Sequence, residues 1–397
     1  MRHCGKYIES NRAQIPQRIT DELIKSSTCL VENYYRNSGY QARHLYKAAI
    51  KWAEALDTGK YVWLGMSGAA TPVGIGGLVA DAMRMGLIDA MVLTGANTYH
   101  DLHFPFALPI RQGSANVNDD ELKEDGTTRI YNQNIDNERT LKTQDAVNQI
   151  IARRVIPRLP RERSSGTLLY ELGKEMLNDN SGMIVDKKGS LVITAAEFDV
   201  PLYWDSQSNH SFAMDMAPLR HEGLYPDTSP SLDLDELTGF CLHTQPQLNV
   251  FFGEGGPRNL IQTLGPYANE IAYIDFEGSD GCIRFTTSDV RAGALSGSSQ
   301  SEAVTWNKYP DASPEREVEV WSEYTITIPL VLGYVAAHTR DPRRLMLRRE
   351  EFHKTFVDKF LANRDKRTSE QERLIRELPE IQRREIEARK RAGYEFE

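Results

Sequence analysis

Residues 61–94 constrain the fold of this chain more than any other stretch. Tyr61-Val-Trp-Leu64 is an apolar run of strand length that enters the small-residue segment Gly65-Met-Ser-Gly-Ala-Ala-Thr-Pro-Val-Gly-Ile-Gly-Gly77. Leu78 to Met85 then reads as helix and Ala90 to Thr94 as a second buried strand. Strand, glycine-rich turn, helix, strand is a βαβ unit, the mark of a parallel sheet covered by helices on both faces. The pattern returns at Leu248–Phe252, which enters Gly253-Glu-Gly-Gly-Pro-Arg258, with a helix expected from Asn259. Val200–Trp204, Ile271–Ile274 and Gly281–Thr286 are further strand candidates, and Leu191–Thr194 reads as a strand followed by a helix start. Residues 40–56 repeat Leu45, Ala48, Ala49, Trp52 and Leu56 at helical spacing. A long polar insertion is expected around residues 110–145. The fold class is therefore α/β, a Rossmann-like parallel sheet.

Composition narrows the function classes. The chain has 397 residues, a net charge of -9, 40% hydrophobic and 26% charged residues, which excludes disordered, collagen-like and disulfide-framework chains. Residues 340–397 hold 17 Lys and Arg against 13 Asp and Glu, a balance of +4, whereas residues 1–339 carry 30 against 43, or -13. An acidic body favours cationic substrates through its summed field and argues against a nucleic-acid binder. Cys4, Cys29, Cys241 and Cys282 are scattered without any CxxC, so neither a disulfide framework nor a structural zinc site is expected. The N-terminus has no apolar signal region. The most apolar stretch, Ile326–Ala337, is well short of the ~20 residues of a spanning helix. A soluble, cytoplasmic protein is expected, with no membrane partner. In the tail, Phe352, Phe356 and Phe360 form a helical stripe that should pack on the body. Ser369 and Glu372 form a capping-box pattern ahead of a highly charged helix edged by Leu374, Leu378 and Ile381.

Three groups of residues could carry chemistry. Glycine-rich βα turns bring backbone N–H groups close to a phosphate, but neither turn reads GxGxxG, so the usual dinucleotide fingerprint is missing. Leu93-Thr-Gly-Ala-Asn-Thr-Tyr-His-Asp-Leu-His103 follows a strand and is crowded with polar side chains, placed where parallel sheets bind ligands. His100 and His103 have no third ligand at recognisable spacing, so no metal is expected. In Gly293–Lys308, Ser299 and Glu302 form a capping box, and Glu302 and Trp306 at i, i+4 share a helix face. Carboxylate, indole and lysine together suit an alkyl-ammonium ligand. Lys308, in a partly dry site, could form an imine.

These segments in order resemble the deoxyhypusine synthase family, most closely its bacterial deoxyhypusine-synthase-like and homospermidine-forming branch. The resemblance covers roughly residues 40–340 and rests on SGAATPVGIGG (67–77), TGANTYHDLHF (94–104), ELKEDGTTRIYN (121–132), GEGGPRN (253–259) and LSGSSQSEAVTWNK (295–308). It implies an NAD-dependent transfer of a 4-aminobutyl group from spermidine, through an imine on an active-site lysine, to an acceptor amine. Lys308 matches that lysine. Glu302, Trp306, Asn137, Ile130 and Asn259 match substrate-contacting positions, and Ser67, Gly68, Thr94, Gly95, Asn209, Thr287 and Glu323 match NAD positions. The family's acid/base histidine is Asn259 here, an NAD-contacting aspartate is Asn209, and Glu254 interrupts a run of glycines. His100 and His210 are the candidates for the proton shuttle. The departures point away from a protein acceptor toward a small amine such as putrescine, which would give homospermidine. Deoxyhypusine formation on a protein lysine, or a non-catalytic NAD- or polyamine-binding relative, are the alternatives. The resemblance also implies a homotetramer, and a division into a catalytic domain, residues 1–340, and a charged helical tail, residues 341–397.

Overall fold

The computed structural model describes residues 12–293 and 298–395. Its centre is a parallel six-stranded sheet built from β1 (Tyr61–Met66), β2 (Ala90–Leu93), β6 (Leu202–Trp204), β7 (Gln247–Phe252), β8 (Gly281–Thr286) and β9 (Glu317–Trp321), in the order β6-β2-β1-β7-β8-β9. The chain moves outward from β1 in one direction through β2 to β6, then starts again beside β1 at β7 and moves the other way. The order thus reverses between β1 and β7, and in open parallel sheets such a reversal opens a crevice at the strands' C-terminal ends.

Period-2 alternation along each strand explains why both faces are covered. Val62, Leu64 and Met66 of β1 join Val250 and Phe252 of β7 in one core. There they meet helices α1 (Asp21–Asn37), α2 (Tyr40–Asp57), α3 (Ile75–Arg84), α7 (Ser165–Leu177), α8 (Leu191–Glu197) and α13 (Tyr324–Val335). Trp63, Val92, Tyr203, Phe251 and Cys282 point the opposite way. They pack on α10 (Pro230–His243), α11 (Gly256–Pro266) and α14 (Arg349–Ala362). In α2 the expected stripe of Leu45, Ala48, Ala49, Trp52 and Leu56 is buried.

Several local expectations are corrected. Leu191–Thr194 is not a strand but the first turn of α8, because Ser190 caps it by accepting from the Ile193 N–H (3.2 Å). Ile271–Ile274 is not a strand either. It leaves a π-helical turn, Tyr267–Ile271, and the Asn269 side chain pins the following loop through both the N–H and the carbonyl of Phe276 (2.9 and 2.7 Å). The polar insertion is folded: β3 (Ile110–Gln112), β4 (Thr127–Ile130) and β5 (Gln133–Asp136) form an antiparallel sheet in the order β3-β5-β4, with α5 (Asp119–Glu124) beside it. Phe104, Ile110 and Ile135 give it a small core of its own. Strand β9, Glu-Val-Glu-Val-Trp, was not expected from the sequence and forms the sheet edge.

In the tail, Phe352 and Phe356 of α14 are buried as the stripe requires. Phe352 lies 5.5 Å from Phe240 and stacks on His243 at 4.3 Å, ring to ring. Helix α15 (Arg364–Arg391) does not begin at the Ser369–Glu372 pattern; Ser369 lies inside it. None of its described residues is buried, and it is laced by its own pairs, among them Arg373 with Glu370 and Glu377, Arg384 with Glu380 and Arg389 with Glu385. Among the described residues, no helix is long and apolar enough to cross a membrane. Phe352→Ala should cost about 3–5 kcal/mol, the usual penalty for deleting a buried aromatic ring, measured as a lower urea midpoint with an unchanged slope.

Candidate functional site

The crevice between β1 and β7 is lined by the two glycine-rich turns. After β1, Gly68 turns with φ +71°, and a Cβ there would stand 2.7 Å from the Tyr324 hydroxyl, which donates to the Ser67 carbonyl (3.1 Å). Thr94 caps α4 (Gly95–Asp101) and donates from Oγ1 to the Gly68 carbonyl (2.7 Å). Buried Asn97 binds the turn from both ends of its amide: Nδ2 donates to Gly68 O (3.0 Å), and Oδ1 accepts from Ala70 N (2.9 Å) and Thr71 N (3.2 Å). Gly95 is required because a Cβ would stand 2.0 Å from the His210 ring. Ser67, Gly68, Thr94 and Gly95 are thus brought together. Ser67 Oγ is buried without a partner among the described residues, an orphaned hydroxyl beside exposed backbone, which fits a polar ligand laid across the turn.

The remaining residues matched to cofactor positions are spread along the same C-terminal edge. Thr287 follows β8 and is exposed. Glu323 follows β9 and caps α13 (Tyr324–Val335), its two carboxylate oxygens accepting from the Thr325 N–H at 3.1 and 3.0 Å. Asn209 is exposed on the loop after β6, beside His210. His210 caps α9 (Ser211–Met216), with Nδ1 accepting from Ala213 N (3.1 Å), while burial pushes its pKa down to about 4. Asp205, on that loop, is a residue the sequence reading missed. Burial pushes it up to about 6, and its carboxylate presses on the start of α11, where a Gly256 Cβ would stand 1.9 Å from Oδ2.

The second turn carries a buried ion cluster. Positive φ falls on Gly253 (+69°) and Gly255 (+82°), so Glu254 needs no left-handed backbone. Its carboxylate instead meets Arg284 (2.6 Å) and Arg258 (3.3 Å), and Arg284 also pairs with Glu317 (3.0 Å) and Glu319 (3.2 Å). Both guanidiniums donate to the Ser298 carbonyl, Arg258 at 2.7 Å and Arg284 at 2.9 Å. One residue on, Ser299 caps α12 (Gln300–Val304) by accepting from Glu302 N (3.2 Å), as the capping pattern required. The helix stops sooner than expected. Trp306 therefore lies past its end, and the N–H groups of Trp306 and Lys308 both reach back to the Ala303 carbonyl (3.2 Å each). Glu302 and Trp306 are exposed and Lys308 is half-buried. Burial and the nearby Arg258 push the Lys308 amine below its ordinary value, and Glu302 opposes them.

The family model for deoxyhypusine synthase matches residues 29–335. The chain belongs to the deoxyhypusine synthase family. It is 31% identical to a deoxyhypusine synthase-like protein of Nostoc over 92% of this chain and 94% of that one. It is also 30% identical to a probable deoxyhypusine synthase 2 of Methanosarcina acetivorans, over 78% and 86%. The crystal structure of a putative deoxyhypusine synthase from Entamoeba histolytica shares the fold, with a TM-score of 0.51, 13% identity, and 79% and 93% of the two chains covered.

Two residues matched to substrate contacts lie on elements other than those of Lys308. Ile130 is half-buried on β4, and Asn137 opens the π-helical turn Asn137–Lys142 before α6 (Thr143–Val155), accepting from Thr128 Oγ1 (2.6 Å). Among the described residues, no hydrogen bond or ion pair joins this group to Lys308, Glu302 or Trp306. Asn259 lies half-buried in the first turns of α11, the residue after Arg258 of the ion cluster. The cluster leaves a sequence trace only in the i, i+4 spacing of Glu254 and Arg258. Glu254→Ala would leave two buried guanidiniums short of a carboxylate. It should destabilise the chain by about 3 kcal/mol, read as a drop in the thermal or urea midpoint.

Proposed function

We propose that this member of the deoxyhypusine synthase family is an NAD-dependent transferase. It moves a 4-aminobutyl group from spermidine, or a related polyamine, through an imine on Lys308 to a small amine, with homospermidine formed when putrescine accepts. The observation that carries the reading is Lys308 itself, half-buried, with its amine lowered by burial and Arg258. A lysine so placed spends more time unprotonated than a solvated one and is a nucleophile for C=N carbon.

Ser67, Gly68, Thr94 and Gly95 would hold the dinucleotide at the crevice, with Thr287, Glu323 and Asn209 further along the edge. When bound, it would take hydride from the secondary-amine carbon, leaving a C=N bond, and give the hydride back to the product imine once the acceptor amine carries the group. Lys308 Nζ then adds to that C=N carbon, and the 1,3-diaminopropane nitrogen departs with its electron pair. Glu302 and Trp306 suit the cationic chain, the carboxylate by charge and the indole by cation–π contact. The acidic balance of residues 1–339 works in the same direction. Asn137, Ile130 and Asn259 complete the substrate contacts. The same family analogy implies a homo-oligomer, a tetramer. The catalytic unit is residues 1–340 and the tail residues 341–397, in a cytoplasmic protein.

Incubation with NAD and spermidine followed by borohydride should add an aminobutyl mass to Lys308 and release 1,3-diaminopropane. Neither adduct nor release would sink the donor assignment. Added putrescine should divert the label into homospermidine. Lys308→Arg should abolish trapping while leaving NAD binding, because a guanidinium stays protonated. Trapping should rise with pH as Lys308 loses its proton, and its midpoint should lie below the ordinary lysine value of about 10.4. Arg258→Ala, which removes the one charged group lowering Lys308 and leaves its burial, should move the midpoint upward.

A further inference from the structure

Asn307, directly before Lys308, carries a left-handed backbone with φ +55°. That angle closes a Schellman motif at the end of α12. The Lys308 N–H reaches the Ala303 carbonyl (3.2 Å) and the Asn307 N–H reaches the Val304 carbonyl (3.0 Å), the 6→1 and 5→2 bonds of such a cap. A right-handed residue here would carry the helix on, and Lys308 would lose its bond to Ala303. Among the residue types, glycine, asparagine and aspartate take the left-handed conformation readily. The asparagine does one thing more: its Nδ2 donates to Glu270 Oε1 (3.0 Å), in the π-helical turn Tyr267–Ile271.

That tie is the last of a row along α11. Arg258, Gln262 and Gly265 stand at i, i+4 and i+7 on one face of the helix, and each meets the lysine segment. Arg258 donates to the Ser298 carbonyl (2.7 Å), and Gln262 Nε2 donates to the hydroxyl of buried Tyr309 (2.9 Å). Gly265 lies against the turn itself, where a Cβ would stand 2.9 Å from the Asn307 carbonyl oxygen. Glu270, in the turn that continues α11, closes the row. From another side Gly278 leaves room for the lysine backbone, since a Cβ there would stand 2.7 Å from the Lys308 carbonyl oxygen. Lys308 therefore sits between a core anchor, Tyr309, and a turn locked by an exposed side-chain pair. The charged groups that bear on its amine are Arg258 of α11 and Glu302 of α12.

We propose that Asn307 is a positioning residue for Lys308: its left-handed turn and its tie to Glu270 hold the lysine amine in the half-buried place from which it attacks the C=N carbon. Asn307 itself makes and breaks no covalent bond. The inference deepens the aminobutyl-transfer reading above and rests on it.

Two readouts on the full chain test it. The first needs no turnover. Pulses of acetic anhydride across a pH series, followed by peptide mass spectrometry, give the midpoint at which Lys308 becomes acylated. Asn307→Val, whose branched side chain disfavours left-handed backbone, should raise that midpoint toward the ordinary lysine value of about 10.4, while the other lysines keep theirs. Asn307→Ala should move it the same way by a smaller step, and it replaces the valine variant if that one fails to fold. Asn307→Gly, which keeps the turn, should return the midpoint to the wild-type value. The second readout is borohydride trapping with NAD and saturating spermidine. Asn307→Val should slow trapping about tenfold or more, as a small misplacement of a reacting group does. Asn307→Gly and Glu270→Ala should each cost about threefold, the worth of one exposed hydrogen bond, and the two together no more than either alone. Equal losses in the glycine and valine variants, or a Lys308 midpoint that Asn307→Val leaves unmoved, overturn the proposal. Additive losses in the Asn307→Gly, Glu270→Ala pair overturn the tie to Glu270. If the wild-type chain traps nothing, the transfer reading falls, and the acylation midpoints still decide whether Asn307 holds the lysine.

Discussion

The contact on which the rest of the site depends is the Glu254 carboxylate held between two buried guanidiniums. Removing three charges from water is costly, and mutual attraction offsets that cost only when the geometry is good and the leftover donors find acceptors. Here one N–H group from each of Arg258 and Arg284 donates to the same backbone carbonyl, that of Ser298. A cluster inside the fold thereby fixes a point on a surface loop. From that point Ser299 starts α12, and one tight turn later comes Lys308. The same cluster places a permanent positive charge, Arg258, near the lysine it positions. Geometry and electrostatics are set by one group of residues.

The sheet supplies the other half of the design. Because β1 and β7 are neighbours in space but lie far apart in sequence, their following turns face each other across the reversal in strand order. Each turn is made of small residues for a different reason. Gly68 and Gly253 need left-handed backbone, whereas Gly95 and Gly256 need room for His210 and Asp205. What looks in sequence like a general preference for glycine is a set of separate steric demands.

That distinction explains what could be read in advance. The strands β1, β2, β7 and β8 were legible because a doubly covered parallel strand is an uninterrupted apolar run bounded by glycine. Strand β9 was not, since its Glu317 and Glu319 side chains serve Arg284 and break the run. Leu191–Thr194 looked like a strand because every one of its residues is buried, and burial on all sides erases the helical period. At the site, Lys308, Glu302 and the Ser299 cap were visible because they are close in sequence. The hydrogen bonds that run from His100 on α4 through His103, Gln144 and Asn148 to Asp215 were invisible, since His103 and Gln144 are 41 positions apart and Asn148 and Asp215 are 67. Glutamine and asparagine in a sequence give no hint of which way their amides face.

Helix α15 has a different character from everything else in the molecule. Its 28 residues make a rod of about 42 Å at 1.5 Å per residue, and it is held less by packing than by arginine–glutamate pairs along its own surface. Such pairs weaken as salt screens them. The reach of this rod is therefore set by the surrounding solution and not by the core. Leu374, Leu378 and Ile381 form an exposed apolar edge along it, and Pro379 removes one rung of its hydrogen-bond ladder near the middle. The sheet and the helices on it are held by packing, whereas this last helix leans on pairs that the medium can weaken.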